Sequence, residues 1–150
     1  MPIPPTTHAD DLELLRTSAV AAGIIASSFF RREVKSWSKE NASPVSEADI
    51  LVDRYLASAL LQARPTYGWL SEETADNPSR LNCERVFVVD PIDGTRGFLR
   101  GEDSWTVCLA VVENGVPVAG VVYAPMRDEL YEAVKDEGAR LNGRPIRRRR

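Results

Sequence analysis

The sequence predicts an α+β fold in which two N-terminal helices pack on a largely antiparallel sheet. Apolar residues recur at three- and four-residue spacing up to Arg64, a pattern typical of amphipathic helices. From Tyr67 onward, short apolar runs are separated by turn-forming residues, a pattern typical of strands. Two of these runs flank Asn114-Gly115, a strong hairpin signal. Helices followed by strands favour the α+β class.

Both helices have sequence signals at their ends. The first is predicted over Asp10 to Arg32, with Thr7 as its N-cap and basic residues at its C-terminus. Its apolar stripe consists of Leu12, Leu15, Ala19, Ala22, Ala26 and Phe29. The second helix is predicted to begin after Ser46 as N-cap and to stop at Arg64-Pro65.

The strands are predicted from apolar runs that end at turn residues. Residues 35–45 and 74–85 are predicted to be extended or looped, and Gly138 and Asn142-Gly143 mark later turns. The predicted strands are Tyr67–Leu70, Val86–Val89, Trp105–Val112, Val116–Tyr123 and Leu130–Val134.

Composition excludes several kinds of catalysis. The chain has 150 residues, enough for one domain with a real core, and a single histidine, His8, near the N-terminus. Mechanisms that need a histidine base or a histidine-rich zinc site are therefore disfavoured.

The formal net charge is −3, and this value includes the four positive charges of Arg147–Arg150. The rest of the chain is therefore more acidic than the net charge indicates, which disfavours binding to a nucleic-acid polymer.

The expected compartment is the cytoplasm, with no membrane attachment. The sequence shows no apolar run as long as the roughly 18 residues of a membrane helix. The N-terminal residues lack the basic and apolar regions of a secretory signal. The chain has only two cysteines, Cys83 and Cys108, which favours a reducing environment.

The stretch from Val86 to Thr95 is predicted to carry the chemistry. A buried strand leads into an acidic turn, where Pro91 and Gly94 hold Asp90 and Asp93 close together. Two carboxylates at this distance repel each other unless a cation such as Mg²⁺ lies between them. Thr95 begins a helical turn that could hold a phosphate. A tight turn with side-chain hydrogen bonds is the structural alternative.

Further carboxylates follow a predicted strand or begin a predicted helix. Glu72-Glu73 follows the strand that ends at Leu70, and Asp49 lies in the first turn of the second helix. A helix-stabilising first-turn acid is the alternative role for Asp49, and Asp53 is predicted to be a solvated surface charge. Together with Asp90, Asp93 and Thr95, the carboxylates of Asp49 and Glu72-Glu73 supply the parts of a metal-assisted phosphate hydrolysis site.

Three motifs resemble the inositol monophosphatase superfamily of magnesium-dependent phosphatases, in the family's order and approximate spacing. They are Ser43-Pro44-Val45-Ser46-Glu47-Ala48-Asp49, Ser71-Glu72-Glu73 and Asp90-Pro91-Ile92-Asp93-Gly94-Thr95. The resemblance continues to Leu141-Asn142-Gly143. Within the superfamily, Ser71-Glu72-Glu73 and Val122-Tyr123-Ala124-Pro125 look most like the bacterial 3'(2'),5'-bisphosphate nucleotidases.

The resemblance implies a role for each motif residue and a cofactor of two or three Mg²⁺ ions. Implied metal ligands are Glu72, Asp90, Asp93 and the carbonyl of Ile92. Implied catalytic residues are Glu72, Asp49 and Thr95, the last two activating the attacking water. Implied substrate-binding residues are Asp93, Gly94 and Thr95. Glu73 is expected to lie next to the metal ligands without binding the metal itself, and Lys39 is expected to lie near the site.

The resemblance also implies the fold and the function. Residues 1–150 would be the N-terminal metal-binding part of the layered αβαβα sugar-phosphatase fold, and 147–150 a basic tail. The expected function is removal of the 3'-phosphate of adenosine 3',5'-bisphosphate, with homodimerisation possible. The alternative substrate is inositol monophosphate or another sugar phosphate. The haloacid-dehalogenase class is excluded, because two residues, not one, separate Asp90 from Asp93.

The chain departs from the family at its C-terminal end. Family members continue further and carry a Trp-Asp-x-Ala-type motif whose aspartate completes the metal site. No such motif occurs after Gly97. The chain is therefore expected to be a fragment or a truncated protein, and a noncatalytic remnant is the second alternative function.

Overall fold

The computed structural model describes residues 6–147. The helices are α1 (His8–Ser27), α2 (Glu47–Ala63) and α3 (Thr95–Leu99), and short 3-10 turns span Pro78–Asn82 and Pro125–Arg127. The strands are β1 (Ser36–Ser38), β2 (Pro44–Ser46), β3 (Gly68–Ser71), β4 (Arg85–Asp93), β5 (Thr106–Glu113), β6 (Val116–Ala124), β7 (Glu129–Val134), β8 (Ala139–Leu141) and β9 (Arg144–Ile146).

The strands form a two-stranded hairpin and a seven-stranded sheet. The hairpin pairs β1 with β2, and the sheet has the sequential order β3-β4-β5-β6-β7-β8-β9. Within residues 6–147, β3 and β4 form the one parallel pair of the large sheet, and its other neighbours are antiparallel. Helices α1 and α2 pack against each other and on the sheet. The predicted α+β class is therefore confirmed.

Both long helices begin where the sequence predicts. Thr7 and Asp10 form a capping box at α1, and Ser46 and Asp49 form another at α2. The predicted C-terminus of α1 at Arg32 is wrong, since the helix ends at Ser27. The chain then turns so that Phe30 is buried.

Aromatic packing explains the early end of α1. The Phe30 ring lies 5.6 Å from the ring of Phe98 and 5.7 Å from that of Trp105. Arg31, beyond the end of the helix, adopts a left-handed φ of 59°. Burial of Phe30 therefore replaces the predicted burial of Phe29, which is only half-buried.

The core lies between the two helices and one face of the sheet. Gly23 allows α1 to approach β6 closely, because a Cβ at this position would lie 2.5 Å from the ring of Tyr123. Fully buried core residues include Leu15, Ala19, Ala22, Val52, Leu56, Leu60, Phe87, Val107 and Val111. Every member of the predicted α1 stripe except Phe29 is buried.

Strand β4 is longer than predicted and changes the setting of the acidic residues. It runs from Arg85 through Pro91 to Asp93, so Asp90 and Asp93 belong to a strand and not to a turn after it. Ladder pairing is interrupted between these two residues, which accommodates Pro91.

The predicted hairpin at Asn114-Gly115 is confirmed, with both residues at positive φ. Strands β8 and β9 were not predicted, although the predicted turn at Asn142-Gly143 lies between them.

The sheet face opposite the helices is open and apolar. A shallow depression of about 480 Å³ lies on it, lined by Val88, Ala110, Val122, Tyr131 and neighbouring residues.

In the described part of the chain, no helix is long and apolar enough to cross a membrane. Cys83 and Cys108 are free thiols. The predicted basic tail lies outside the described residues, apart from Arg147.

Candidate active site

A polar cavity of about 300 Å³ gathers most of the predicted site residues. It lies where β3 and β4 end and α3 begins, next to the β1–β2 hairpin. Its lining is Lys39, Asn41, Ser43, Pro44, Glu72, Glu73, Asp90, Ile92, Asp93, Gly94, Thr95 and Arg96. Asp49 lies behind this wall, fully buried, and reaches the cavity through Thr95.

The irregularity in β4 brings Asp90 and Asp93 together. Asp90 pairs with Cys108 and Asp93 with Thr106, a shift of one residue in the ladder. Residues three apart in a regular strand point to opposite faces, and one extra residue restores them to the same side. Burial, followed by the negative charges of Asp93 and Glu72, raises the pKa of Asp90 to about 7. The pair therefore forms an electrostatically crowded acidic site.

Parallel pairing explains why Glu72 lies near Asp90. Strand β3 ends at Ser71, which pairs with Val89, and the Glu72 amide donates to the Val89 carbonyl at 3.2 Å. The carboxyl ends of neighbouring parallel strands lie at the same edge of a sheet, so the residues that follow them are neighbours. Glu72 is exposed at this edge and lines the cavity.

Asp49 makes hydrogen bonds that agree with both roles the sequence left open, and its catalytic role stays a prediction. Its Oδ2 accepts the Ser46 amide at 2.8 Å and the Ser46 hydroxyl at 2.6 Å, which completes the cap of α2. Its Oδ1 accepts the Thr95 hydroxyl at 2.9 Å. The same carboxylate therefore stabilises the helix and orients a hydroxyl at the cavity.

The segment from Ile92 to Thr95 presents backbone groups to the cavity. Ile92 is buried, and its carbonyl oxygen lies 3.1 Å from the Thr95 hydroxyl. Gly94 precedes α3 with a φ of 89°, which a side chain would strain. Amides at the beginning of a helix point outward along its axis. This geometry agrees with the implied roles of Ile92, Gly94 and Thr95, which stay predictions.

The prediction for Asp53 is wrong. The side chain is only 6% exposed and accepts hydrogen bonds from the Ser71 and Thr74 hydroxyls. Helix periodicity correctly puts Asp53 one turn after Asp49, but it does not reveal that the β3 segment covers that turn.

A basic residue on the hairpin approaches the acidic segment. Lys39 Nζ lies 2.9 Å from Glu73 Oε1 and 3.4 Å from the Glu72 carbonyl oxygen. Burial raises the pKa of Glu73, and Lys39 offsets part of that effect. Asn41, Ser43 and Arg96 also line the cavity. Sequence reasoning missed these three as site residues, although Ser43 and Arg96 lie within or beside the recognised motifs.

The donor chemistry of the cavity fits a hard divalent cation. Carboxylates and a carbonyl are the oxygen ligands that Mg²⁺ and Ca²⁺ prefer. The carboxylates of Glu72, Asp90 and Asp93 border the cavity. In residues 6–147, no three His, Cys, Asp or Glu side chains already converge on one point suited to a metal ion.

Comparisons with known proteins identify relatives over most of the chain. Residues 10–150 match the inositol monophosphatase family. A histidinol-phosphatase from Chlorobaculum parvum is 34% identical over 91% of this chain and 52% of its own length. The 3'(2'),5'-bisphosphate nucleotidase CysQ of Aggregatibacter actinomycetemcomitans is 35% identical over 89% of this chain and 50% of its own length.

A solved structure shares the architecture. The extragenic suppressor protein suhB from Bartonella henselae has a TM-score of 0.86 and 32% identity, over 91% of this chain and 54% of that protein. The chain therefore spans about half the length of these relatives. The match over residues 10–150, together with the shared fold, establishes that this chain belongs to the inositol monophosphatase family.

Proposed function

We propose that this chain carries the metal- and phosphate-binding part of a magnesium-dependent phosphomonoesterase that acts on small phosphorylated metabolites. The observation that carries the proposal is the hydrogen bond from the Thr95 hydroxyl to Asp49 Oδ1 at 2.9 Å. It orients a hydroxyl at a cavity that Glu72, Asp90 and Asp93 border. A structural turn would need neither this cavity nor these three carboxylates.

The metal ligands would be Glu72, Asp90, Asp93 and the carbonyl of Ile92, holding two or three ions. Bound Mg²⁺ supplies charge neutralisation for phosphate oxygens and makes a bound water more acidic. The crowding that raises the pKa of Asp90 supports this assignment, because a cation would relieve it.

Asp49 and Thr95 would act on the attacking water. When the Thr95 hydroxyl donates its proton to Asp49, the lone pairs of Thr95 Oγ1 remain available to accept a hydrogen bond from water. As the water oxygen bonds to phosphorus, its proton can pass to Thr95 while the Thr95 proton passes to Asp49. The ester P–O bond breaks, and the leaving alcohol oxygen takes a proton from solvent water. The amides of Gly94 and Thr95, beside Asp93, would hold the phosphate.

The substrate proposal is adenosine 3',5'-bisphosphate, with loss of the 3'-phosphate. Two observations support it: the Ser71-Glu72-Glu73 and Val122–Pro125 motifs, and the 35% identity to a bisphosphate nucleotidase. Inositol monophosphate or another sugar phosphate is the second candidate, supported by the family match.

This chain is expected to be a weak phosphatase by itself, and a noncatalytic remnant is the competing possibility. It spans about half the length of the relatives, and its open apolar sheet face reaches Glu72 and Asp90. A site that is solvated on one side loses part of its electrostatic stabilisation of the transition state.

An exposed apolar face also favours self-association, which supports a homodimer proposal. A cytoplasmic compartment remains part of the proposal.

The test is Mg²⁺-dependent phosphate release from adenosine 3',5'-bisphosphate, inositol 1-phosphate and histidinol phosphate. The chain should release phosphate slowly, and Thr95→Val should reduce the rate by about 10²-fold. Thr106→Val is the matched control, because that hydroxyl contacts Cys108 Sγ at 3.3 Å instead of a carboxylate. Equal rates for Thr95→Val and the unmodified chain would contradict the assignment. No release from any substrate would contradict the expected activity of this chain by itself.

A further inference from the structure

Asp53 is a buried carboxylate that lies directly behind the segment carrying Glu72. One carboxylate oxygen accepts the Ser71 hydroxyl and the other accepts the Thr74 hydroxyl. These two donors bracket Glu72 and Glu73 in the chain. Asp53 therefore joins α2 to both sides of the short acidic segment.

Both hydroxyls have a second partner, which extends the network. Ser71 Oγ accepts the Glu73 amide at 3.2 Å. Thr74 Oγ1 lies 3.4 Å from Trp69 Nε1, which donates to it. Because each hydroxyl already accepts a hydrogen bond, its own proton is directed to Asp53. This hydrogen-bond network therefore needs both carboxylate oxygens of Asp53 as acceptors.

The segment is held from the other side by the sheet. The Glu72 amide donates to the Val89 carbonyl at 3.2 Å. The Glu72 side chain itself is exposed, so packing of that side chain does not set its direction. Its orientation depends on the backbone of residues 71–74, and that backbone is fixed between β4 and Asp53.

We propose that Asp53 is a positioning residue that holds residues 71–74 so that the Glu72 carboxylate faces Asp90 across the cavity. The inference rests on the proposed function in taking Glu72 as a metal ligand. Partners that orient metal ligands without touching the metal commonly affect metal affinity strongly.

The experiment compares Asp53→Asn with Asp11→Asn in the same 150-residue chain. Asp11 is equally a buried, hydrogen-bonded carboxylate, but it bonds Arg64 and Arg85 at the far ends of α2 and β4. Calorimetric titration with Mg²⁺ should show a loss of about tenfold or more in affinity for Asp53→Asn. Asp11→Asn should bind Mg²⁺ within about twofold of the unmodified chain, since its site is remote.

A second variant separates positioning from the loss of one negative charge. Thr74→Val removes one of the hydroxyls that donate a hydrogen bond to Asp53, and it leaves every charge in place. It should also weaken Mg²⁺ binding, by less than Asp53→Asn. Normal affinity in Thr74→Val beside weak affinity in Asp53→Asn would overturn the positioning role.

Amide hydrogen exchange in the metal-free chain provides a readout that does not depend on metal binding. Asp53→Asn should accelerate exchange at Glu72 and Glu73, whereas Asp11→Asn should not accelerate it selectively there. Unchanged exchange at both amides in Asp53→Asn would overturn the inference. Accelerated exchange in a chain that binds no Mg²⁺ would support the positioning of the segment and contradict the metal-dependent proposed function.

Discussion

Carboxylates at opposite ends of α2 and β4 have different electrostatic surroundings, with Asp11 fully buried at one end and Asp90 half-buried at the other. Asp11 accepts Arg64 Nε at 3.0 Å, Arg85 Nη1 at 2.9 Å and the Tyr67 hydroxyl at 2.8 Å. At the other end, about 25 Å along α2, Asp90 faces the negative charges of Asp93 and Glu72.

The two carboxylates differ in whether the neighbouring side chains neutralise their charge or oppose it. Two guanidinium groups neutralise Asp11, so its charge is an internal part of the structure. The charge of Asp90 instead raises its own pKa to about 7, because burial and its neighbours disfavour the ionised form. The acidic end thus stores unfavourable repulsion that a bound cation would release.

The strongest test of this contrast is Asp90→Asn. We expect Mg²⁺ affinity to fall by more than about 10²-fold, because one of the proposed charged ligands would be lost. The metal-free variant should be at least as stable as the unmodified chain near pH 8. A folded pKa raised to about 7 means that Asp90 costs stability as pH rises from about 4 to 7. Calorimetry and urea unfolding measure the two effects, and unchanged Mg²⁺ affinity would remove the metal assignment.

Asp11→Asn should give the opposite result. Removing one partner leaves Arg64 and Arg85 incompletely paired, so the free energy of unfolding should fall by about 3 kcal/mol. Mg²⁺ affinity should stay unchanged in the fraction that remains folded. Urea unfolding with parallel calorimetry is the measurement. A stability loss below about 1 kcal/mol would mean that this network contributes little to the fold.

A smaller effect is expected from pH. Below about pH 7 the Asp90 carboxyl holds a proton that Mg²⁺ must displace. Apparent Mg²⁺ affinity should therefore fall roughly tenfold between about pH 8 and pH 6. Titration in two buffers of different ionisation enthalpy would count the released protons. Binding at pH 6 without proton release would contradict this.

The smallest effect is expected at an exposed carboxylate. Asp76 accepts Arg80 Nε at 2.8 Å on the surface of the segment before β4. Exposed ion pairs contribute little to stability, because water and salt screen them. Asp76→Asn should change neither Mg²⁺ affinity nor the urea midpoint. A clear shift in the Mg²⁺ affinity or in the urea midpoint would mean that the local surroundings of Asp11 and Asp90 do not explain their different expected effects.

Local sequence signals determined much of the fold. The N-caps at Thr7 and Ser46, the apolar stripe of α1 apart from Phe29, and the Asn114-Gly115 hairpin correspond to the structure. Each depends on residues a few positions apart, so each is visible in sequence. The end of α1 was not predictable in this way, because it is set by packing of Phe30 on Phe98 and Trp105.

The residue types of the candidate site are likewise fixed by the sequence, which places Asp90, Asp93 and Thr95 within one short motif. Only the tertiary structure decided which carboxylates share a cavity and which are neutralised. Parallel pairing of β3 with β4 brings Glu72 to Asp90, and packing of the same segment on α2 buries Asp53. Charge compensation depends on distances between residues far apart in the chain, and no local pattern encodes those distances.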